Sequence, residues 1–501
     1  MGSCASDLGP FSPANLNWKR MDWREVEAKV RALQMRIAKA VSEGRPARVK
    51  KLQRLLTCSL PARLLAVKRV SSNKGKKTPG VDGVVWYLPS EKVKQVFCLK
   101  RRGYSSLPLR RVYIRKKNGK LRPLGIPTMH DRAMQALHAL ALIPVAEVTA
   151  DPNSYGFRMY RCCADAIDQC FRLLARNSSP GWVWEADITG CFDNLSHQWM
   201  LEKIPMDKQM LKAWLSAGYV EKSVFHPTTS GTPQGGIISP TLANMVLDGL
   251  ERCAQSVVPQ RSKGIRSKIH MVRYADDFII TAASKELLVE KVIPAVTEFL
   301  AQRGLTLSPE KSKITHVTEG FDFLGFNVRK FGQKLIVRPT KKAVMAITAK
   351  TKAIIAKHRG DNALTLIRAL NPVIRGWANY YRPIFAHKDL SRVDNFLFKQ
   401  IWHWVKRRHG RKSRRWLKEQ YFCTHQGLTW TFCAGYKTVD GEARRTVLLR
   451  ASKYKRVPYT KVWAEAHPFD KKWNVYFEQR RQRQRMRKAT ALVKTRNSRV
   501  V

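Results

Sequence analysis

Two aspartates side by side give the first chemical lead. Residues 269–281 read IHMVRYADDFIIT, and two runs rich in Val and Ile flank Tyr274-Ala275-Asp276-Asp277. Such runs around a four-residue break predict a β-hairpin with both carboxylates at its tip. Adjacent ionised aspartates repel each other, so this placement is costly unless a cation sits there. Hard carboxylate oxygens suit Mg²⁺, which takes one or two carboxylates and shares its shell with water and phosphate. A lone YADD fits a solvated turn equally well, because Asp is a common turn residue. A third carboxylate tips the balance. In residues 182–197, WVWEADITGCFDNLSH, the first seven read as a strand with Asp187 at its end, and Asp193-Asn194 reads as the N-cap of a helix. A strand end can meet the tip of a neighbouring hairpin. Asp187, Asp276 and Asp277 would then form a cluster able to hold two Mg²⁺, with Asp193 a cap rather than a ligand.

Other segments must position these groups. Residues 110–127, RRVYIRKKNGKLRPLGIP, read as a hairpin turning at Asn118-Gly119, and seven of them are Arg or Lys. A hairpin so basic suits a clamp on a triphosphate or a template backbone. Residues 232–240, TPQGGIISP, form a Gly-Gly turn leading into a helix over 240–251. After the YADD hairpin, a helix is expected over 284–303, with Ser284 as N-cap and a kink at Pro294. Residues 320–326, GFDFLGF, make an aromatic strand that suits either a nucleic-acid floor or a plain core.

Charge dominates the composition. The 501 residues carry 93 Lys+Arg against 37 Asp+Glu, a formal net charge of +56. Such self-repulsion calls for a polyanionic partner, and nucleic acid is the default. The charge is spread along the whole chain, unlike a membrane-surface helix. A hydrophobic fraction of 44% with 14 Trp and 19 Phe excludes a disordered chain. Ten cysteines without a C-x-x-C pair indicate neither a zinc ribbon nor a disulfide scaffold, and point to a reducing compartment. No apolar signal core opens the chain, and the most apolar run, residues 133–148, is too short to span a bilayer and reads as a buried helix.

The remaining segments are basic. Residues 18–56 read as helical, with an apolar stripe and a cationic face. Residues 72–83, SNKGKKTPGVDG, form a loop in which Lys74, Lys76 and Lys77 stand out, without the ending of a P-loop. Residues 341–415 return to helix, with aromatics interleaved among cations in RGWANYYR, where Arg375, Trp377, Tyr380 and Tyr381 are candidates for RNA stacking and phosphate contact. Residues 416–501 mix short strands with a helix near Phe477 and close on a basic stretch suited to binding phosphates.

Taken in order, Asp187-Ile188 with Phe192, then TPQGG, YADD and Phe323-Leu324-Gly325, resemble reverse transcriptases. The NKGKKTPGVDG loop, the NGKLRPLGIP hairpin, SYGFR at 154–158 and RGWANYY resemble the group II intron-encoded reverse transcriptase/maturase family in particular. The likeness is close over residues 60–415. It implies an α+β right-hand polymerase fold, with fingers, a palm built on an antiparallel sheet, a helical thumb or X domain, and a small basic C-terminal region. The expected boundaries are an N-terminal basic helical extension over 1–60, fingers and palm over 61–335, thumb or X domain over 336–415, and a DNA-binding region over 416–501.

The resemblance also assigns roles. Asp187, Asp276 and Asp277, with the backbone at Ile188, would bind two Mg²⁺ ions. Phe192 would exclude the ribose 2′-OH, and Gln234 would support the incoming nucleotide. Lys116 and Arg122 would grip its phosphates, with Arg115 and Lys117 as alternatives to Lys116. Lys311 would protonate the leaving pyrophosphate. The partners implied are intron RNA, a DNA target or primer, and dNTPs, with no membrane, in a monomer or dimer. The setting implied is a bacterial cytoplasm, as a nucleoid-associated ribonucleoprotein, rather than an organellar matrix. The sequence VWAEAHPFDKKWNVYFEQRR resembles the stretch that precedes an HNH endonuclease in many relatives, and no such endonuclease is expected here. Two other readings stay open: a domesticated reverse transcriptase of defence or repair, and a non-catalytic splicing factor that only binds intron RNA.

Overall fold

A computed structural model describes residues 16–115, 119, 121–259, 261–262, 265–483 and 486. They divide into two compact units. The first holds the described residues up to 166, with 184–314 and 462–481; the second holds 167–183, 315–461 and those beyond 481.

The apolar run at 133–148 is the spine of the first unit. Met129–Thr149 is a helix buried on nearly all sides, and Thr128 caps it by accepting the Asp131 N–H at 3.1 Å. Helices Trp23–Ser42, Pro46–Cys58 and Leu60–Ser72 pack on it, with Ile37, Leu56, Val67 and Val70 all buried. The helical pattern over 18–56 is thus carried by two helices. Gly44 takes φ +65°, a left-handed value that ends the first helix, and Pro46 opens the second.

The basic hairpin forms as expected, Leu109–Arg115 against Leu121–Ile126 in antiparallel register. Its first strand also pairs in parallel with Tyr219–Glu221, which turns back as Val224–His226. A separate four-stranded sheet has the order Lys313–His316, Trp182–Ala186, Asp277–Ala282, His270–Tyr274. Its core is Trp184 set edge-on to Phe278 at 5.7 Å, with Met271, Val272, Ile279 and Ile280 fully buried.

Two helices differ from expectation. The helix over 240–251 breaks at Gly249, φ +95°, into Ser239–Leu247 and Leu250–Ser256. Over 284–303, Ser284 caps as expected by accepting the Leu287 N–H at 3.3 Å. Pro294 then follows a π-helical turn, Leu288–Val292, that widens the helix ahead of Ile293–Ala301 and accommodates a residue with no N–H.

Residues 462–481 belong to the first unit. Val462, Ala466 and Phe477 form a small core there. Arg161 donates to the Ala464 carbonyl at 2.7 Å, and buried Asp165 accepts the N–H groups of Cys162 and Val462, each at 2.8 Å.

In the second unit, GFDFLGF is a hairpin. Phe321–Phe323 pairs with Phe326–Phe331 across Leu324-Gly325, both at positive φ, and Lys334–Pro339 adds a third strand. Phe321, Phe323 and Phe326 are buried, so this segment is core, not a nucleic-acid floor. Four helices follow, Lys341–Lys357, Ala363–Tyr381, His387–Arg408 and Arg414–Tyr421, and then a three-stranded antiparallel sheet from Phe422 to Val447. Among the described residues no helix is long and apolar enough to cross a membrane.

Candidate active site

The YADD hairpin turns on two residues. Tyr274 pairs with Asp277, and Ala275 holds φ +59°. This left-handed turn is braced from below. Gly156, in the SYGFR segment, lies so near the tip that a Cβ on it would stand 2.4 Å from the Ala275 nitrogen, and only glycine fits. The segment is also hydrogen-bonded to the first strand, Tyr155 N–H to the Arg273 carbonyl at 2.9 Å and Arg273 N–H to the Asn153 carbonyl at 3.0 Å.

Beneath the tip sits a fully buried guanidinium. Arg273 ion-pairs with Asp248, stands 3.7 Å from Asp151, and donates to Asn244 at 3.3 Å. Asn244 in turn donates to the Gly156 carbonyl at 2.7 Å. Burial pushes the Asp248 carboxyl up to about 7 against the pull of Arg273.

Asp187 reaches the same place from the neighbouring strand. Its carbonyl accepts the Ser308 N–H at 2.8 Å, and Thr189 donates to the Thr306 carbonyl at 2.9 Å. Ile188 bridges Leu307 between these bonds, and its carbonyl takes no part in either. This short ladder also fixes Lys311, whose ammonium ion-pairs with the Asp187 carboxylate.

The carboxylates converge. Burial, then the charges of Asp276 and Asp187 and a hydrogen bond with Asp187, push Asp277 up to about 7. Burial first and Asp187 second push Asp276 up, while Arg122 and Lys311 pull it down. The hydrogen bond that the Lys311 ammonium donates to Asp187 raises Lys311. Among the described residues no three Cys, His, Asp or Glu side chains form a ready-made ion cage. The donor set nonetheless fits a hard cation: three carboxylates held close enough to raise two of them are what added positive charge would relieve.

The residues expected to face the nucleotide form a chain. Arg122 Nε donates to Gln234 Oε1 at 2.6 Å, and Gln234 Nε2 donates to Asp193 at 3.2 Å. Asp193 is therefore no N-cap. It lies inside the short helix Cys191–Asn194, which follows Gly190 at φ +52°, and Ser196 caps the next helix by accepting the Trp199 N–H at 3.2 Å. Phe192 is half-buried, edge-on to Phe157 at 6.3 Å. Lys116 and its alternative Lys117 lie outside the described residues.

Three families match this chain in order. The N-terminal domain of reverse transcriptase matches residues 18–99, the reverse transcriptase (RNA-dependent DNA polymerase) matches 114–328, and the group II intron maturase-specific domain matches 344–422. The chain belongs to the group II intron reverse transcriptase/maturase family. Protein YkfC of Escherichia coli (strain K12) is 32% identical over 355 residues, which are 62% of this chain and 93% of YkfC. The group II intron-encoded protein LtrA of Lactococcus lactis subsp. cremoris is 30% identical over 53% of this chain and 54% of its own. A 91 kDa protein in the cob intron of Schizosaccharomyces pombe is 26% identical over 65% of this chain and 49% of its own. The chain thus spans about half the length of these intron-encoded relatives.

The RNA-binding candidates of this reverse transcriptase/maturase fall in two places. Lys74, Lys76 and Lys77 are exposed on a loop of the first unit. Arg375, Trp377, Tyr380 and Tyr381 lie on the helix Ala363–Tyr381 of the second. Arg375 is exposed, Trp377 half-buried, and Tyr380 exposed with its hydroxyl donating to the Leu324 carbonyl at 2.8 Å. Tyr381 does not fit a stacking role. It is buried, donates to the Gly325 carbonyl at 3.0 Å, and has Phe326, Trp377 and Tyr380 around its ring. Arg273, Asp248, Asn244 and Gly156 were missed by sequence reasoning as parts of the site.

Proposed function

We propose that this chain is an RNA-directed DNA polymerase encoded by a group II intron, acting also as a maturase that binds the intron RNA and supports its splicing and retromobility by target-primed reverse transcription. The observation that carries the proposal is the meeting of Asp187 with the hairpin-tip pair, with Lys311 beside them. Residues 61–335 serve as fingers and palm, 336–415 as thumb or X domain, 1–60 as a basic extension and 416–501 as a DNA-binding region. The setting is a bacterial cytoplasm, as a nucleoid-associated ribonucleoprotein.

Asp187, Asp276 and Asp277, with the carbonyl of Ile188, would hold two Mg²⁺ ions, whose chemistry is to activate the primer 3′-OH and to neutralise the triphosphate and the leaving pyrophosphate. The chain's own residues do the rest. Arg122 holds the triphosphate, and Lys116 adds a second cation. Gln234, tied to both Arg122 and Asp193, presents a fixed amide edge to the incoming nucleotide. Phe192 places a ring where a ribose 2′-OH would clash, and so selects dNTPs. Lys311, raised further by its hydrogen bond to Asp187, carries a proton that goes to pyrophosphate once that contact opens. Primer extension on an RNA template with Mg²⁺ and dNTPs tests the reading. Efficient cDNA synthesis is expected from the native chain, and a normal yield from Asp276→Ala would sink the assignment.

A further inference from the structure

The second unit holds a pocket of about 910 Å³ that polymerase chemistry does not use. It lies among the helix His387–Arg408, the helix Arg414–Tyr421 and the strands that follow. Its floor is aromatic. Trp430 meets Trp402 edge-on at 5.7 Å and Phe398 at 6.2 Å, and Phe422 leans on it at 5.5 Å. Phe422 is buried, while Phe398 and Trp430 keep 39% and 36% exposure. Contacts with three rings fix the Trp430 indole, so a flat ligand would meet a surface that is already ordered. The rim is cationic. Arg414, Arg415 and Lys418 line it, and the carboxylate of Glu419 among them is taken by Arg415 at 3.1 Å. Lys418 Nζ rests over the Trp430 ring, 5.2 Å from its centre.

Each part of this pocket narrows what it can hold. A free phosphate would leave the aromatic floor bare. An aromatic peptide would cover the floor but leave Arg414 and Lys418 without counter-charge. A duplex keeps its base faces stacked inside and offers edges and backbone but no face for Trp430. A splayed-out base satisfies both parts, with its ring on Trp430 and its flanking phosphates on the cations. We propose that this pocket binds an unpaired base of single-stranded RNA. The proposal rests on the reading of the chain as an RNA binder. RNA is favoured over DNA because Phe398, Trp402, Lys418 and Phe422 all fall inside the match to the maturase-specific domain. Lys418 can swing from the indole to a phosphate, so the free protein keeps the site partly covered by a side chain that moves easily.

The test uses the full chain and a short oligoribonucleotide carrying one 5-iodouridine. Irradiation is expected to label Trp430 or Trp402, and excess unlabelled single-stranded RNA is expected to compete while an RNA duplex of equal length does not. Trp430→Ala is expected to abolish this label and to weaken oligonucleotide binding about tenfold, with Trp430→Phe restoring most of it. Lys418→Glu leaves the aromatic floor in place and should weaken binding on its own. Circular dichroism and the melting temperature of each variant report that the chain is folded. A label found only elsewhere, equal competition by the duplex, stronger competition by the matching DNA strand or by an aromatic peptide, or full affinity in Lys418→Glu would overturn the pocket's assignment. Failure of the native chain to bind the oligonucleotide at all would remove the RNA-binding reading with it, whereas binding without a label here removes this inference alone.

Discussion

The carboxylate site of the first unit and the helices of the second use charge in opposite ways. Around the YADD tip, cations and anions are held against each other, buried at Arg273 beneath the tip and exposed at Lys311. Arg273 is fully buried between Asp248 and Asp151, and Lys311 is joined to Asp187. In the second unit many cations reach the surface, as with exposed Arg375 and half-buried Lys418 over Trp430. Buried charges are coupled, because removing one strands its partner in a medium that cannot solvate it. Exposed charges act nearly one at a time, because water screens each from the next. One region is therefore built to hold a few groups in fixed positions, and the other to meet a long polyanion at many weak points.

The sharpest separation is between activity and stability at the hairpin tip. Asp276→Ala should lower single-turnover cDNA synthesis about 10⁴-fold, about 5 kcal/mol of barrier. The same change should leave the melting temperature unchanged or slightly raised, because it relieves the charges that push Asp277 up. A large fall in melting temperature would mean that the tip is a structural element rather than a strained site. Next in size is the buried guanidinium. Arg273→Met should cost about 3–5 kcal/mol in chemical denaturation, since Asp248 and Asp151 would face each other without a cation. If that cost proved no larger than that of an exposed arginine, the contrast between the two units would fail.

The parts of this arrangement that the sequence displayed are those governed by short-range patterns. Period-two runs around YADD announced the hairpin, and the strand ending at Asp187 was equally plain. The basic hairpin and the buried helix Met129–Thr149 followed from turn residues and apolar length. What stayed hidden depends on distant partners. Asp193 looked like a cap because Asp-Asn before a helix commonly is one, and its partner Gln234 is 41 residues away. Arg273 was one cation among 93 Lys and Arg, and nothing local sets apart a buried one. Tyr381 carried a usable signal. Ile374, Ala378 and Tyr381 recur at helical spacing and are all buried, so the stripe separates Tyr381 from exposed Tyr380. The breaks at Gly44 and Gly249 were also legible in principle, as glycines able to take left-handed φ inside apolar patterns.

Buried polarity in the first unit should also give it a pH dependence. His138, set edge-on to Trp214 at 5.4 Å, is held at about 4 by burial. Its unfolded value is near 6.5, so the folded state binds fewer protons between these limits. The stabilisation is therefore complete above pH 6.5 and is lost as pH falls toward 4. A shift of this size corresponds to about 3 kcal/mol. Denaturation midpoints between pH 7 and 4 should show the loss, and His138→Leu should flatten it. A profile unchanged by that substitution would assign the acid sensitivity to other groups.

The smallest effect lies on the exposed face of the helix Ala363–Tyr381. Arg375 is exposed there, so Arg375→Ala should change folding stability by no more than about 0.5 kcal/mol. Its consequence should appear in salt dependence. Each phosphate contact contributes about 0.7 to the slope of log K against log salt for single strands and about 0.9 for a duplex. Losing one contact should make the slope shallower by that amount and weaken binding about equally for unrelated RNA sequences. The variant would break the comparison if the slope stayed fixed while affinity fell for one sequence only. Arg375 would then read a base within a specific arrangement, and the second unit would depend on fixed geometry as much as the first.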